Sequence, residues 1–316
     1  MQRPTNTSLS LGHFLLALAV VTVWGLNFIM VEVSLRNIPP LTLCALRFFL
    51  AFIPAIFFVK RPNTPWQWVA AYGLFIFAAQ FSLLFVGMHA GVAPGIAALL
   101  LQFQVFFTIL FAYLFYRQQP RPIQLIGALV AFAGIITIFT NLGGKYSLFG
   151  VILILSAAAC WALGNITSVK LGRINMFSLV IWGSAAAFPP LFIAALIIEG
   201  PMTVFTLFIH LPQLPAVTLF AVAYIIYAST YFGYGAWSWL LSRYTMSTIA
   251  PFALLVPIVA IVCSSLMLGE TFEVWKMVAV ILVVTGMAIN LLGERVLRHG
   301  VAAFNKFIPQ TKTDSD

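Results

Sequence analysis

Charge is what this 316-residue sequence lacks, with 7 % of its residues Asp, Glu, Lys or Arg against about 25 % in soluble domains. Seven acids and sixteen basic residues cannot coat a soluble protein of this size, and hydrophobic residues reach 62 %. A soluble globular chain and a disordered one are both excluded. Asp occurs only as Asp314 and Asp316, and there is no His-Glu-x-x-His run, no Asp-rich diphosphate motif and no paired acid inside an apolar run. Membrane enzymes that handle phosphates with a carboxylate-held metal are thereby disfavoured, and neither enzyme chemistry nor a cofactor is expected. Cysteine is scarce too. Cys44, Cys160 and Cys263 all lie within apolar runs, a spacing that makes neither a disulfide framework nor a metal site. They read as small buried hydrophobes. A P-loop is missing, since Gly144-Lys145 lacks the motif's first glycine and Tyr146 stands where Ser or Thr is needed.

What the chain does have is long apolar runs, at 12–34, 39–59, 66–87, 93–116, 122–140, 147–169, 176–198, 214–240, 245–268 and 274–292. Each is long enough to cross about 30 Å of hydrocarbon as a helix. The runs are continuous rather than alternating, which excludes a membrane β-barrel. Prolines at 39, 40, 62, 65, 120, 122, 212 and 215 punctuate the junctions. The first run is too long for the core of a signal peptide and reads as a span. The fold class is thus an all-α polytopic membrane protein with ten transmembrane helices.

The net charge of +9 invites a nucleic-acid reading, but the basic residues stand one or two at a time between apolar runs, not on one face. No nucleic-acid partner is expected, and the charges are better read as topology. If the spans alternate, twelve of the sixteen basic residues fall on the side of the N-terminus: Arg3, Lys60, Arg61, Arg117, Arg121, Lys170, Arg173, Arg243, Arg295, Arg298, Lys306 and Lys312. Arg36, Lys145 and Lys276 fall on the other side, and Arg47 lies within a span. This bias puts both termini in the cytoplasm, with the chain multi-pass in a bacterial inner membrane.

The halves resemble each other. Trp24-Gly25-Leu26-Asn27 in the first span has a counterpart in Trp161-Ala162-Leu163-Gly164-Asn165 of the sixth, and an offset of 152 aligns Gln118 with Glu270 and Gly134 with Gly286. The reading is a first five-helix repeat over 1–142, a second over 143–295 and a cytoplasmic tail over 296–316. Five is odd, so the halves enter the membrane in opposite senses. Such 5+5 inverted-topology repeats recur in secondary transporters, with the substrate near the midplane between halves.

Polar groups inside hydrocarbon are costly and face the bundle interior. Arg47 is about 12 Å into the second span at 1.5 Å per residue, where arginine costs about 2.5–3.5 kcal/mol on insertion scales. A substrate-carboxylate or gating role competes with a structural one, and a pair with Glu32 of the neighbouring span is a third option. Gly91, Gly95, Ala98 and Gln102 share one helical face, which makes a packing seam or a cavity wall ending in an amide. Tyr227, Tyr231, Tyr234 and Trp237 form an aromatic stripe in the eighth span. Tyr231 and Tyr234 lie too deep for an interface belt. With Trp24, Asn27, Gln80, Trp161, Asn165 and Trp182 they complete the candidate lining of a central cavity. Glu32 and His89, near the outer ends of spans, are the candidates for coupling or gating.

On these residues the ten-span core resembles the EamA-type exporters of the drug/metabolite transporter superfamily. The resemblance rests on Trp24 to Phe28, on Pro39-Pro40 through Arg47-Phe48, and on Ala93-Pro94-Gly95 through Gln102 to Thr108. It rests equally on Ser178 to Trp182, Gly233-Tyr234-Gly235 and Leu254 to Pro257. Gly269-Glu270 keeps the Gly-Glu that usually ends the family's ninth span, whereas Arg117-Gln118 and Val105 depart from the first-half pattern. The resemblance implies export of small metabolites or amino acids by alternating access, from a monomer or homodimer in the bilayer. Protons are a candidate coupling ion, though the interior holds almost nothing that titrates near neutral pH. Efflux of hydrophobic cations is the alternative within transport. A membrane enzyme or lipid-carrier flippase is the alternative outside it.

Overall fold

The computed structural model describes residues 9–141, 147–171, 174–271 and 273–307. Arg3, Lys145, Arg173, Lys312 and the Gly144–Tyr146 stretch lie outside them, as does the tail from 308. Among the described residues ten helices are long and apolar enough to span a membrane: Leu11–Leu35, Pro40–Phe57, Trp66–His89, Pro94–Tyr116, Pro122–Thr140, Leu148–Ser168, Met176–Ile198, Ala216–Arg243, Ala250–Leu268 and Val274–Gly293. The last continues as helix to Phe307. In hydrocarbon a backbone must satisfy its own hydrogen bonds, so continuous apolar runs become helices. Proline sets where they begin, heading the helices that start at Pro40, Pro94, Pro122 and Pro201. Its missing N–H costs nothing there.

The second span breaks after Phe52, before a 3-10 turn at Ala55–Phe57, and four further irregular spans fall in two pairs. The third widens to a π-helix at Gly73–Ala79 and the eighth at Tyr224–Gly233. The fourth breaks at Gln102-Phe103, between helices Pro94–Leu101 and Gln104–Tyr116. The ninth starts as a 3-10 segment, Ala250–Leu254. Left-handed residues end the fourth and ninth spans at Arg117 and Gly269, and these two positions are also 152 apart.

The spans do not pack as two separate bundles. The fifth lies along the tenth, the second along the seventh and the fourth along the ninth. The first packs on the ninth and eighth, the sixth on the fourth and third, the third on the seventh, and the second on the eighth. Exchanging each span for its counterpart five positions away maps these principal pairs onto themselves. The expectation that the first and second spans are close neighbours needs correction. They touch little, because each finds its main partner in the other half.

Large apolar side chains such as Leu129, Ile197, Leu266 and Ile281 are exposed, as a lipid-facing surface requires. Gly127 of the fifth span and Gly286 of the tenth meet backbone to backbone; a β-carbon on Gly127 would stand 2.6 Å from the Gly286 carbonyl oxygen. Only glycine permits that approach.

Candidate functional site

Arg47 is carried by the second span and is 2 % exposed. Its Nη2 donates to the Thr230 hydroxyl at 3.2 Å, and its guanidinium carbon lies 4.2 Å from the centre of the Phe81 ring. Nε and Nη1 have no hydrogen-bond partner. Thr230 sits in the π-helical stretch of the eighth span and donates its own proton to the Ile225 carbonyl at 2.9 Å. Its hydroxyl therefore presents only a lone pair to Arg47. No hydrogen bond or ion pair joins Arg47 to Glu32 among the described residues, so the pair entertained from the sequence does not form. Glu32 is half-buried on the first span and is influenced by the charges of Arg36, Glu270 and His89. His89 is exposed at the end of the third span.

Among the described residues three further polar side chains keep unused capacity, one of them Asn290 of the tenth span by its Nδ2. Gln80 follows the π-helical stretch of the third span, next to Phe81, and is buried with its Nε2 unpartnered. Asn27 on the first span is buried with its Oδ1 unpartnered. One turn before Asn27, Trp24 donates Nε1 to the Ser229 carbonyl at 3.2 Å. Its ring centre lies 5.6 Å from that of Tyr234 and 5.1 Å from that of Trp237. Tyr234 also edges onto Phe77 at 6.3 Å. Trp24, Tyr234 and Trp237 thus form one aromatic group, seated over Gly233, where a β-carbon would lie 3.2 Å from two indole atoms. Ser229 and Thr230 are consecutive, so the aromatic group and Arg47 share the same stretch of the eighth span.

The other candidates hold spans together. Gln102 donates from Nε2 to the Ala253 carbonyl at 3.2 Å, joining the breaks of the fourth and ninth spans. Asn165 donates to Gln104 Oε1 at 2.9 Å and to the Thr108 hydroxyl at 3.1 Å, tying the sixth span to the fourth. Trp182 donates to the Val59 carbonyl at 3.0 Å, beside Ser178, which donates to Lys60 at 2.5 Å. Trp182 therefore sits at the end of the second span. Tyr231 donates to the Ala51 carbonyl at 2.8 Å, where the helix Pro40–Phe52 ends. Trp161 is half-buried and packs against the apolar core. One acid that sequence reasoning passed over is central to the packing: Glu199, at the end of the seventh span, accepts from the Leu41 and Thr42 amides at 2.6 and 2.9 Å. A cleft of about 400 Å³ lies nearby, lined by Asn37, Pro39, Thr203, Thr206 and His210 among others.

Among the described residues no three His, Cys, Asp or Glu side chains converge to hold a metal ion. Comparison with known proteins gives a consistent picture. The profile described as "EamA-like transporter family" matches residues 11–140 and again 148–292. A "Probable amino-acid metabolite efflux pump" of Escherichia coli (strain K12) is 40 % identical over 287 residues, covering 89 % of this chain and 95 % of that protein. A protein of the same description from Salmonella typhimurium is 37 % identical, covering 90 % and 96 %. An "Uncharacterized inner membrane transporter YedA" of Escherichia coli is 26 % identical, covering 87 % and 89 %. A crystal structure of a protein with 18 % identity superposes with a TM-score of 0.61 over 90 % of this chain and 98 % of that one, which shows a shared fold.

Proposed function

The chain belongs to the EamA-like transporter family, and on that premise we propose that it exports amino acids or related small zwitterions across a bacterial inner membrane by alternating access. The observation that carries this reading is the trio of buried, under-used polar groups on Asn27, Arg47 and Gln80. In a bundle this apolar, such groups are retained for a ligand or a path. The descriptions of the Escherichia coli and Salmonella typhimurium relatives support the amino-acid class.

The halves are read as inverted repeats, both termini facing the cytoplasm. The exchange symmetry of the packing and the paired irregularities support this, since a repeat turned over in the membrane places equivalent breaks at equivalent depths. Cargo would meet Arg47 and the aromatic group from one side, and be released on the other after the halves rock about it. Cation efflux finds no support at the site, where the fixed charge is positive and Glu32 lies toward a span end. Coupling to protons stays with Glu32 and His89 as candidates.

The test is release of radiolabelled amino acids from proteoliposomes containing the purified chain, with and without an imposed proton gradient. Flux above empty liposomes is expected. Its absence for every amino acid and for their acetylated or thiol-bearing relatives would remove the reading.

A further inference from the structure

Arg47 has five N–H donors, three of them on Nε and Nη1, and those two nitrogens are bonded to nothing. Thr230 holds the guanidinium by Nη2, and Phe81 covers it at 4.2 Å. The group is thus fixed in place with most of its donors idle. Gln80 adds one more idle donor in Nε2, next in sequence to Phe81, and Asn27 adds an idle acceptor in Oδ1. All three residues are at least nine-tenths buried. The unused capacity is therefore a full positive charge, a surplus of donors and one acceptor.

A buried cation without a counter-charge is strongly unfavourable. Cargo without an anionic group would leave the charge uncompensated, and a purely cationic cargo would add to it. A carboxylate offers two oxygens with about four acceptor positions and matches the flat guanidinium. An ammonium group beside it would need an acceptor, and Asn27 Oδ1 is one.

We infer that Arg47 docks the carboxylate of the cargo. This rests on the transport reading above and narrows it to solutes with a free carboxylate.

Proteoliposomes of the full chain are loaded with a mixture of radiolabelled L-α-amino acids to identify those that move. For each of these, the acid, its carboxamide and its decarboxylated amine are compared as competitors. The amide and the amine should compete about tenfold or more weakly, the factor expected for a charge-assisted contact. Arg47→Gln should abolish the preference for the acid. Equal competition by amide and acid on the wild-type protein overturns the carboxylate anchor and leaves transport standing. No flux of any amino acid overturns the transport reading and this assignment with it. If Arg47→Gln does not fold, the wild-type competition still decides.

Discussion

The carboxylate of Glu199 holds Thr42 twice, by its amide at 2.9 Å and by its hydroxyl at 2.5 Å, and takes the Leu41 amide as well. These are the first free donors of the helix that carries Arg47, because Pro40 has no N–H and the Leu43 amide is bonded to the Pro39 carbonyl. An acid from the seventh span thereby caps the second, where a negative charge also meets the positive end of the helix. Glu199→Ala should destabilise the protein by about 2 kcal/mol, as loss of a cap with charged hydrogen bonds does. Thermal unfolding in detergent checks it, with Glu199→Gln expected between alanine and the wild type. An unchanged midpoint for Glu199→Ala would show the clasp to be incidental.

Gly233→Ala should push the Trp24 indole off the Ser229 carbonyl. The added methyl would crowd the ring, and overpacking of this kind costs about 1–3 kcal/mol. The alanine variant should be less stable than the wild type in chemical denaturation, and its tryptophan emission should shift. An unchanged midpoint would mean that the stretch around Gly233 yields easily.

Asn165→Leu separates architecture from recognition. Its amide is committed to Gln104 and Thr108, so the variant should lose about 1–2 kcal/mol of stability. Its apparent KM should stay within about twofold of wild type, less than the change expected of one lost cargo hydrogen bond. A tenfold rise in KM at unchanged stability would instead put Asn165 in contact with cargo.

The order in which these effects fall follows from what a sequence can and cannot carry. Continuous apolar runs and flanking prolines located all ten spans, since a helix long enough to cross hydrocarbon is a local property. The burial of Arg47 was equally legible. Its partners were not, because Thr230 lies 183 positions away in the chain and only the packing of the second span on the eighth brings them together. Gln102 and Asn165 look from the sequence like amides waiting for cargo. Whether an amide inside a membrane bonds a solute or a neighbouring helix depends on what stands opposite, and opposite them stand Ala253, Gln104 and Thr108. Glu199 escaped notice because it sits in a connection, where a single acid is ordinarily solvated. The signal that finds it is the Pro39-Pro40 pair, which leaves a helix start in need of an external acceptor.

The contact between Gly127 and Gly286 bears on how motion here can be measured. No side chain stands between the fifth and tenth spans at this point to act as a lever, and parting them would open a gap that nothing nearby can fill. The seam is a fixed baseline. Spin labels on Leu129 and Ile281, which face outward from the two spans with 71 % and 61 % exposure, should report one distance whether or not cargo is bound. Labels joining either span to any of the other eight would then give displacements relative to a frame that belongs to the protein itself.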